Sequence, residues 1–270
     1  MNYFDNYEKS LLTTYKEKIY DQFVLAINKY QLIQENDRIC VCISGGKDSM
    51  ILAKIFMYYQ KHSPIHFDVE YLVMNPGYNK LNLELIIHNL ELLKIPATIK
   101  NTDIFEIANM QDKSPCFLCA KMRRGALYNL AKSLNCNKIA LGHHFDDVNE
   151  TILMNMLNSG SYQTMLPKLK STNNIGMEVI RPLYVIKEKD IISYKDENNL
   201  HFIQCACKFT EEAFNDEISS KRKQTKTLIE LLKDYYQDDI DKHIFESANN
   251  VNLDGITGYH LNNVYYKTKK

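Results

Sequence analysis

No stretch of the sequence is apolar for the length a bilayer requires, so a membrane-spanning helix is excluded. The first nine residues, from Met1 to Lys9, lack a basic segment followed by an apolar one. A secretory signal is therefore not expected, and the protein is expected in the cytoplasm. Charge of one sign is not in excess. Thirty-three Lys and Arg balance 33 Asp and Glu, which gives no global support to a nucleic-acid partner. The cysteines do not come in an even number. Seven of them in a chain of cytosolic character argue against a disulfide framework and for metal binding or catalysis. Internal repeats and low-complexity segments are absent. What remains, 45% hydrophobic and 24% charged residues over 270 positions, is an ordinary soluble globular chain, large enough for one α/β domain with appendages.

The chemistry starts at Ser44-Gly45-Gly46-Lys47-Asp48-Ser49. An apolar run, Ile39 to Ile43, precedes it and an apolar-periodic segment from Met50 follows, which predicts strand, glycine turn and helix. Such a turn aims backbone N–H groups and a helix N-terminus at an anion, here a phosphate. Gly45 and Gly46 let the backbone approach closely. Lys47 adds a positive charge, and Ser44 and Ser49 add hydroxyls. Asp48 would repel a polyphosphate unless a cation such as Mg²⁺ stands between them. The loop fits neither G-x-x-x-x-G-K-[ST] nor G-x-G-x-x-G.

Along the chain, a helical segment is expected over 7–35, then strands at 38–43, 66–73, 97–100 and 138–141, alternating with helices to about 61, over 81–94, 114–134 and 147–157. Alternation of this kind predicts a parallel sheet covered on both faces, with ligands beyond the strand C-termini. The Ser44–Ser49, Asn75-Pro76-Gly77 and Gly142-His143-His144 loops should then converge. Later, a helix at 187–198, a short strand at 201–204 and a basic helix at 211–233 are expected. The division expected is 1–36, an N-terminal helical segment; 37–208, the main domain with its cysteines; and 209–270, a basic helical extension.

Cys116-Phe117-Leu118-Cys119 is a C-x-x-C at a helix start, where the helix N-terminus and neighbouring Lys121 and Arg123 favour thiolates. A redox dithiol, a zinc site with Cys205 and Cys207, and an iron–sulfur site with one of those two all fit the residues. Cys40 and Cys42 alternate with Val41 on the first strand and read as small apolar residues, and Cys136 reads as structural. Asp146 and Asp147, after His143 and His144, could hold Mg²⁺ or orient a nucleophile, and Asp146 also suits a helix N-cap. Basic clusters at Lys113–Lys138, Lys221–Lys226 and Lys267–Lys270 suit either phosphate contacts or solvated surface.

The hexapeptide resembles the PP-loop of ATP pyrophosphatases, which hold ATP by its β- and γ-phosphates and release pyrophosphate while adenylating a substrate. Four further motifs stand in order after it. They are Cys116–Cys119 with Arg123-Arg124-Gly125, Gly142 to Asp147, Met165 to Leu169, and Val179-Ile180-Arg181-Pro182-Leu183. Together, over roughly residues 20–225, they resemble the TtcA-like tRNA 2-thiocytidine synthetases. The resemblance implies an α/β, parallel-sheet, Rossmann-like PP-loop fold. It implies adenylation of the C2 oxygen of cytidine 32 of tRNA, displacement of AMP by sulfur, and ATP, Mg²⁺ and a [4Fe–4S] cluster as cofactors. A cysteine desulfurase persulfide or free sulfide would donate the sulfur, and a homodimer is implied. Nucleotide contacts would come from Ser44, Gly45, Gly46, Lys47, Asp48, Ser49, Met74, Gly142 and His143. Catalytic roles would fall to Lys47, Asp48, Arg123, Asp146 and Asp147. Cys116, Cys119 and Cys205, with Cys207 as the alternative third ligand, would hold the cluster. Two departures stand out: the segment Val73–Tyr78 is short, and the second cysteine pair is C-x-C. They leave room for a uridine-thiolating enzyme, or for a PP-loop ligase or amidase acting on a small molecule.

Overall fold

The computed structural model describes residues 5–110, 115–203, 217–236, 239–262 and 264–268. The N-terminal segment forms α1 (Asn6–Leu12), a π-helical turn (Lys16–Tyr20) and α2 (Asp21–Lys29) rather than one helix. The break falls at Thr13, whose hydroxyl bonds back to the Lys9 carbonyl at 2.8 Å and competes with the regular ladder. The segment ends before Gln31, which has a φ of 49°. Leu11, Tyr15, Ile19, Phe23 and Ile27 nevertheless enter the main core. Lys54, buried in the domain, pins the segment through Asp5 at 2.5 Å and Glu8 at 3.1 Å.

The strand expected over 38–43 is β1 (Arg38–Ile43), buried at every residue after the first. It leads into α3 (Lys47–His62). Then come β2 (Asp68–Asn75), α4 (Lys80–Leu92), β3 (Ala97–Asn101), α5 (Ile104–Asn109), α6 (Pro115–Ser133), β4 (Lys138–Ala140) and α7 (Phe145–Ser159). β5 (Lys168–Lys170), β6 (Glu178–Ile180) and α8 (Glu188–Glu197) follow. One six-stranded sheet has the order β3-β2-β1-β4-β6-β5. Its neighbours are parallel except β5, which runs antiparallel to β6. The chain winds outward from β1 to β3, then crosses to β4. The switch point, the place where open α/β sheets bind their ligands, therefore lies between β1 and β4.

β5 and β6 went unread because three residues each are too short to show a period. The strand expected at 201–204 is absent from 201–203, and Gln204 lies outside the described residues. There the Asn89 amide donates to the His201 carbonyl at 2.8 Å, a side chain standing in for a ladder partner. The basic helix is α9 (Glu217–Tyr236), with 211–216 outside the described residues. After it come α10 (Ile240–Ser247) and a hairpin of β7 (Gly258–Leu261) and β8 (Val264–Lys267), so the extension expected to be helical ends in strands.

Two compact units result, Met1–Asp147 with Leu166–Ser220, and Val148–Met165 with Lys221–Lys270. The first holds the sheet. The second is held internally by Arg222 with Glu150 at 3.2 Å and by the Asn149 amide donating to the Asp241 carbonyl at 2.9 Å. No helix among the described residues is long and apolar enough to cross a membrane.

Candidate active site

The loop after β1 is braced from within. Ser49 Oγ accepts from the Ser44 N–H at 3.0 Å and donates to the Gly46 carbonyl at 3.0 Å. Gly45 turns the chain at φ +85°, a left-handed value that suits glycine. Gly142, at the end of β4, lies against this backbone. A Cβ there would stand 3.0 Å from both Asp48 C and Ser49 N, so the two loops meet as closely as glycine allows.

Around the loop runs a closed circuit of polar side chains. Lys47 Nζ lies 3.2 Å from Asp48 Oδ2 and 2.9 Å from Glu188 Oε1. The Glu188 backbone N–H, in the first turn of α8, donates to Asp146 Oδ2 at 2.7 Å. His144 Nδ1 is 3.7 Å from Asp146 Oδ2, and its Nε2 is 3.5 Å from Asp147 Oδ2 and 3.8 Å from Asp48 Oδ1. The circuit thus returns to the loop. The first turns of α3, α7 and α8 all contribute to it. Three helix N-termini favour negative charge there, and the carboxylates answer them.

Burial pushes the Asp48 carboxyl above its ordinary range, against the pull of His144 and Lys47. Its Oδ1 is buried without a hydrogen-bond partner among the described residues. Burial alone would lower the Lys47 ammonium, but Asp48 and Glu188 outweigh it and hold it above its usual value. Lys47 therefore stays protonated and ready to neutralise an anion.

One side chain from the turn after β2 braces this loop. Tyr78, nearly buried, donates its hydroxyl to the Ser44 carbonyl at 3.1 Å. Burial raises its pKa, and it feels the charges of Arg123 and Cys119 on α6. The Asn75 side chain shapes this turn by accepting from the N–H groups of Gly77 at 3.0 Å and Tyr78 at 2.7 Å. Cys116 opens the same helix and is described in its backbone only, while Cys205 and Cys207 lie outside the described residues. Ile203, two positions before Cys205, packs on Gly45; its Cδ1 lies 2.8 Å from where a Cβ there would stand. Among the described residues, no three His, Cys, Asp or Glu side chains gather as a metal set.

A loop of this build, on this sheet, matches the PP-loop domain over residues 13–214. The chain belongs to the PP-loop family. Among curated relatives, a tRNA-cytidine(32) 2-sulfurtransferase of Geotalea uraniireducens (strain Rf4) is 36% identical over 211 residues, covering 77% of this chain and 81% of that protein. One of the same name from Aliivibrio fischeri (strain MJ11) is 42% identical over 185 residues, 67% of this chain and 59% of its own length. A solved structure, the U34-tRNA thiolase NcsA from Methanococcus maripaludis with its [4Fe-4S] cluster, superposes with a TM-score of 0.64 at 19% identity, covering 86% of this chain and 79% of that one. It shares the fold.

In this PP-loop protein, Ser44 to Ser49 and Gly142 form one surface, and Met74, 4% exposed, is the penultimate residue of β2, one strand away. Of the two histidines, His144 turns its ring toward Asp48. Asp146 does not cap its own helix: it lies within α7 and satisfies the first turn of α8. Asp147 reaches back to the His144 N–H at 3.0 Å, the N3 half of a capping box. Glu188, His144, Tyr78 and Ile203 were missed as site residues. The doubled histidine was a signal for His144, but nothing local in the sequence marks Glu188. Cys40, Cys42 and Cys136 are buried together, as expected of structural thiols. The Cys40 contact and burial push the Cys136 thiol up, away from reactivity.

Proposed function

We propose that this PP-loop protein is an ATP-dependent tRNA sulfurtransferase that replaces the C2 oxygen of cytidine 32 with sulfur. The observation that supports the reading is Ile203, two positions before Cys205, which packs on Gly45 of the phosphate loop. In this reading activation and sulfur chemistry share one mouth. The names of the relatives supply the substrate.

The base carbonyl oxygen attacks the α-phosphorus of ATP, and the bond to the β-phosphate oxygen breaks. Loop N–H groups and Lys47 stabilise the charge on the departing pyrophosphate. The carbonyl oxygen, otherwise a poor leaving group, now departs as part of AMP when sulfur adds to C2. Arg123 is the residue assigned to offset the negative charge on that leaving AMP.

Asp48, Asp146, Asp147 and Glu188 surround one lysine and one histidine, a set too negative to receive a bare polyphosphate. Asp48, with its unpartnered Oδ1, suits a Mg²⁺ carried in with ATP. Thiolates of Cys116, Cys119 and Cys205 suit iron as soft donors. A [4Fe–4S] cluster on three thiolates supplies, when bound, an iron open to a sulfur ligand. The sulfur comes from a desulfurase persulfide or free sulfide.

Nucleosides of tRNA from a deletion strain, analysed by mass spectrometry, should lack 2-thiocytidine, and the wild-type gene should restore it. Complementation with C119A or C205A should fail, while the purified variants still bind ATP. Unchanged 2-thiocytidine in the deletion strain would overturn the reading.

A further inference from the structure

Arg181 follows β6 directly, at the C-terminal edge of the sheet. The Leu141 N–H donates to the Ile180 carbonyl at 3.0 Å, so Arg181 lies one strand beyond the Gly142 loop and two beyond the phosphate loop. Two strand spacings are about 10 Å. The Arg181 backbone is fixed, its N–H donating to the Pro167 carbonyl at 2.9 Å and its carbonyl accepting from Tyr184 at 3.1 Å. The guanidinium is held through Nη1 by the Leu166 carbonyl. Its Nε is buried without a partner, and among the described residues it has no ion pair.

A half-buried cation whose Nε is shut away without a partner is costly, and this one is opposed further. Burial lowers the Arg181 pKa, and the like charge of Arg124, on α6 beside Arg123, acts in the same direction. Asp147, Tyr128 and Tyr184 act against it without pairing with it. A guanidinium with an idle donor, opposed by a like charge, is what an oxyanion relieves, and the planar fork matches phosphate oxygens in pairs.

We propose that Arg181 and Arg124 form a second phosphoryl site, separate from the phosphates gripped by Ser44–Ser49, which takes a phosphate of the acceptor RNA or the α-phosphate of the nucleotide. This rests on the proposed function for its choice of substrates. The position lies on the far side of the switch point from β2.

Binding of a tRNA transcript to the full-length holoprotein is measured against ionic strength, alongside binding of a non-hydrolysable ATP analogue, for wild type, R181Q, R181K and R124Q. R181Q should weaken RNA binding roughly tenfold or more, and reduce the slope of log affinity against log salt by about one. R124Q should shift both in the same direction by less, and R181K, which keeps charge and loses the fork, should fall between. If analogue affinity falls while the RNA slope holds, the phosphate is the nucleotide's; the reverse assigns it to RNA. A residue that only braced Leu166 would leave both the salt slope and the analogue affinity unmoved. Wild-type slope and wild-type analogue affinity in both R181Q and R124Q would overturn the proposal. Should R181Q fail to fold, R181K and R124Q decide it. RNA binding without thiolation in wild type would sink the proposed function and leave this site standing. Full thiolation with normal RNA binding in R181Q would do the opposite.

Discussion

Replacing Gly45 with Ala tests how tightly the phosphate loop is set into its surroundings. Two costs add. The residue sits at φ +85°, which an L side chain occupies at a penalty of about 1–2 kcal/mol. The new Cβ would also stand 2.6 Å from Ile86 Cγ1 and 2.8 Å from Ile203 Cδ1, some 0.6–0.8 Å inside an ordinary contact of about 3.4 Å. Ile86 is fully buried, and the clash is with an inner atom of its side chain, so it has nowhere to swing. Overpacking of this sort costs about 1–3 kcal/mol. The sum, about 2–5 kcal/mol, is a large share of a typical domain's stability of roughly 5–15 kcal/mol. What the fold does not absorb must move the loop, and a displacement of about 1 Å there would lower turnover on the order of a hundredfold. The assay is urea denaturation together with ATP binding. Gly125, within α6, is the control: nothing lies within 4 Å of a Cβ built there, so G125A should stabilise by about 0.5–1 kcal/mol. A G45A protein within about 0.5 kcal/mol of wild type and binding ATP normally would refute the reasoning.

E188Q keeps an acceptor beside Lys47 and removes a charge that competes with phosphate for it. ATP should bind a few-fold tighter while kcat falls, because Lys47 is less firmly placed; a titration and a rate measurement that move together would contradict this. Asp48 provides a pH test. Its folded pKa is raised by burial, so the folded state binds the proton more tightly than the unfolded state, and this group's contribution to stability falls as pH rises from the ordinary carboxylate value through the raised one. D48N should flatten that part of the stability profile and be no less stable than wild type at neutral pH, while losing Mg²⁺-dependent turnover; a profile identical to wild type would count against the burial argument. C119S, purified anaerobically, should lose iron and sulfide while still binding ATP, and full iron content would remove Cys119 from the ligand set.

The parallel sheet was legible because β1 is an apolar run, β2 ends in one at Tyr71–Met74, and the helix between them keeps its period. The phosphate loop was legible because its demands are local: a left-handed glycine, an N-terminal helix turn and a nearby cation. The carboxylate circuit was not. Glu188 lies 141 positions from Lys47 in sequence, and only the return of the chain through β6 and α8 brings them to 2.9 Å. Asp146 misled for a similar reason. Its sequence neighbours suggest capping of its own helix, but the donor left open in space belongs to α8. The C-terminal hairpin escaped because its strands are four residues each, with Leu261 exposed on one and Tyr265 and Tyr266 on the other.

Ile203 resting on Gly45 has a thermodynamic consequence. The residue leads by two positions into Cys205, so the strand of chain that brings the late cysteines leans on the turn that receives ATP. A ligand that resets one must do work on the other, and such coupling is reciprocal. Whatever factor nucleotide adds to retention of the cysteine-bound group, that group must add to nucleotide affinity. An enzyme stripped of it would then hold ATP with a different strength, and would be slow to spend ATP on a base it has no sulfur for.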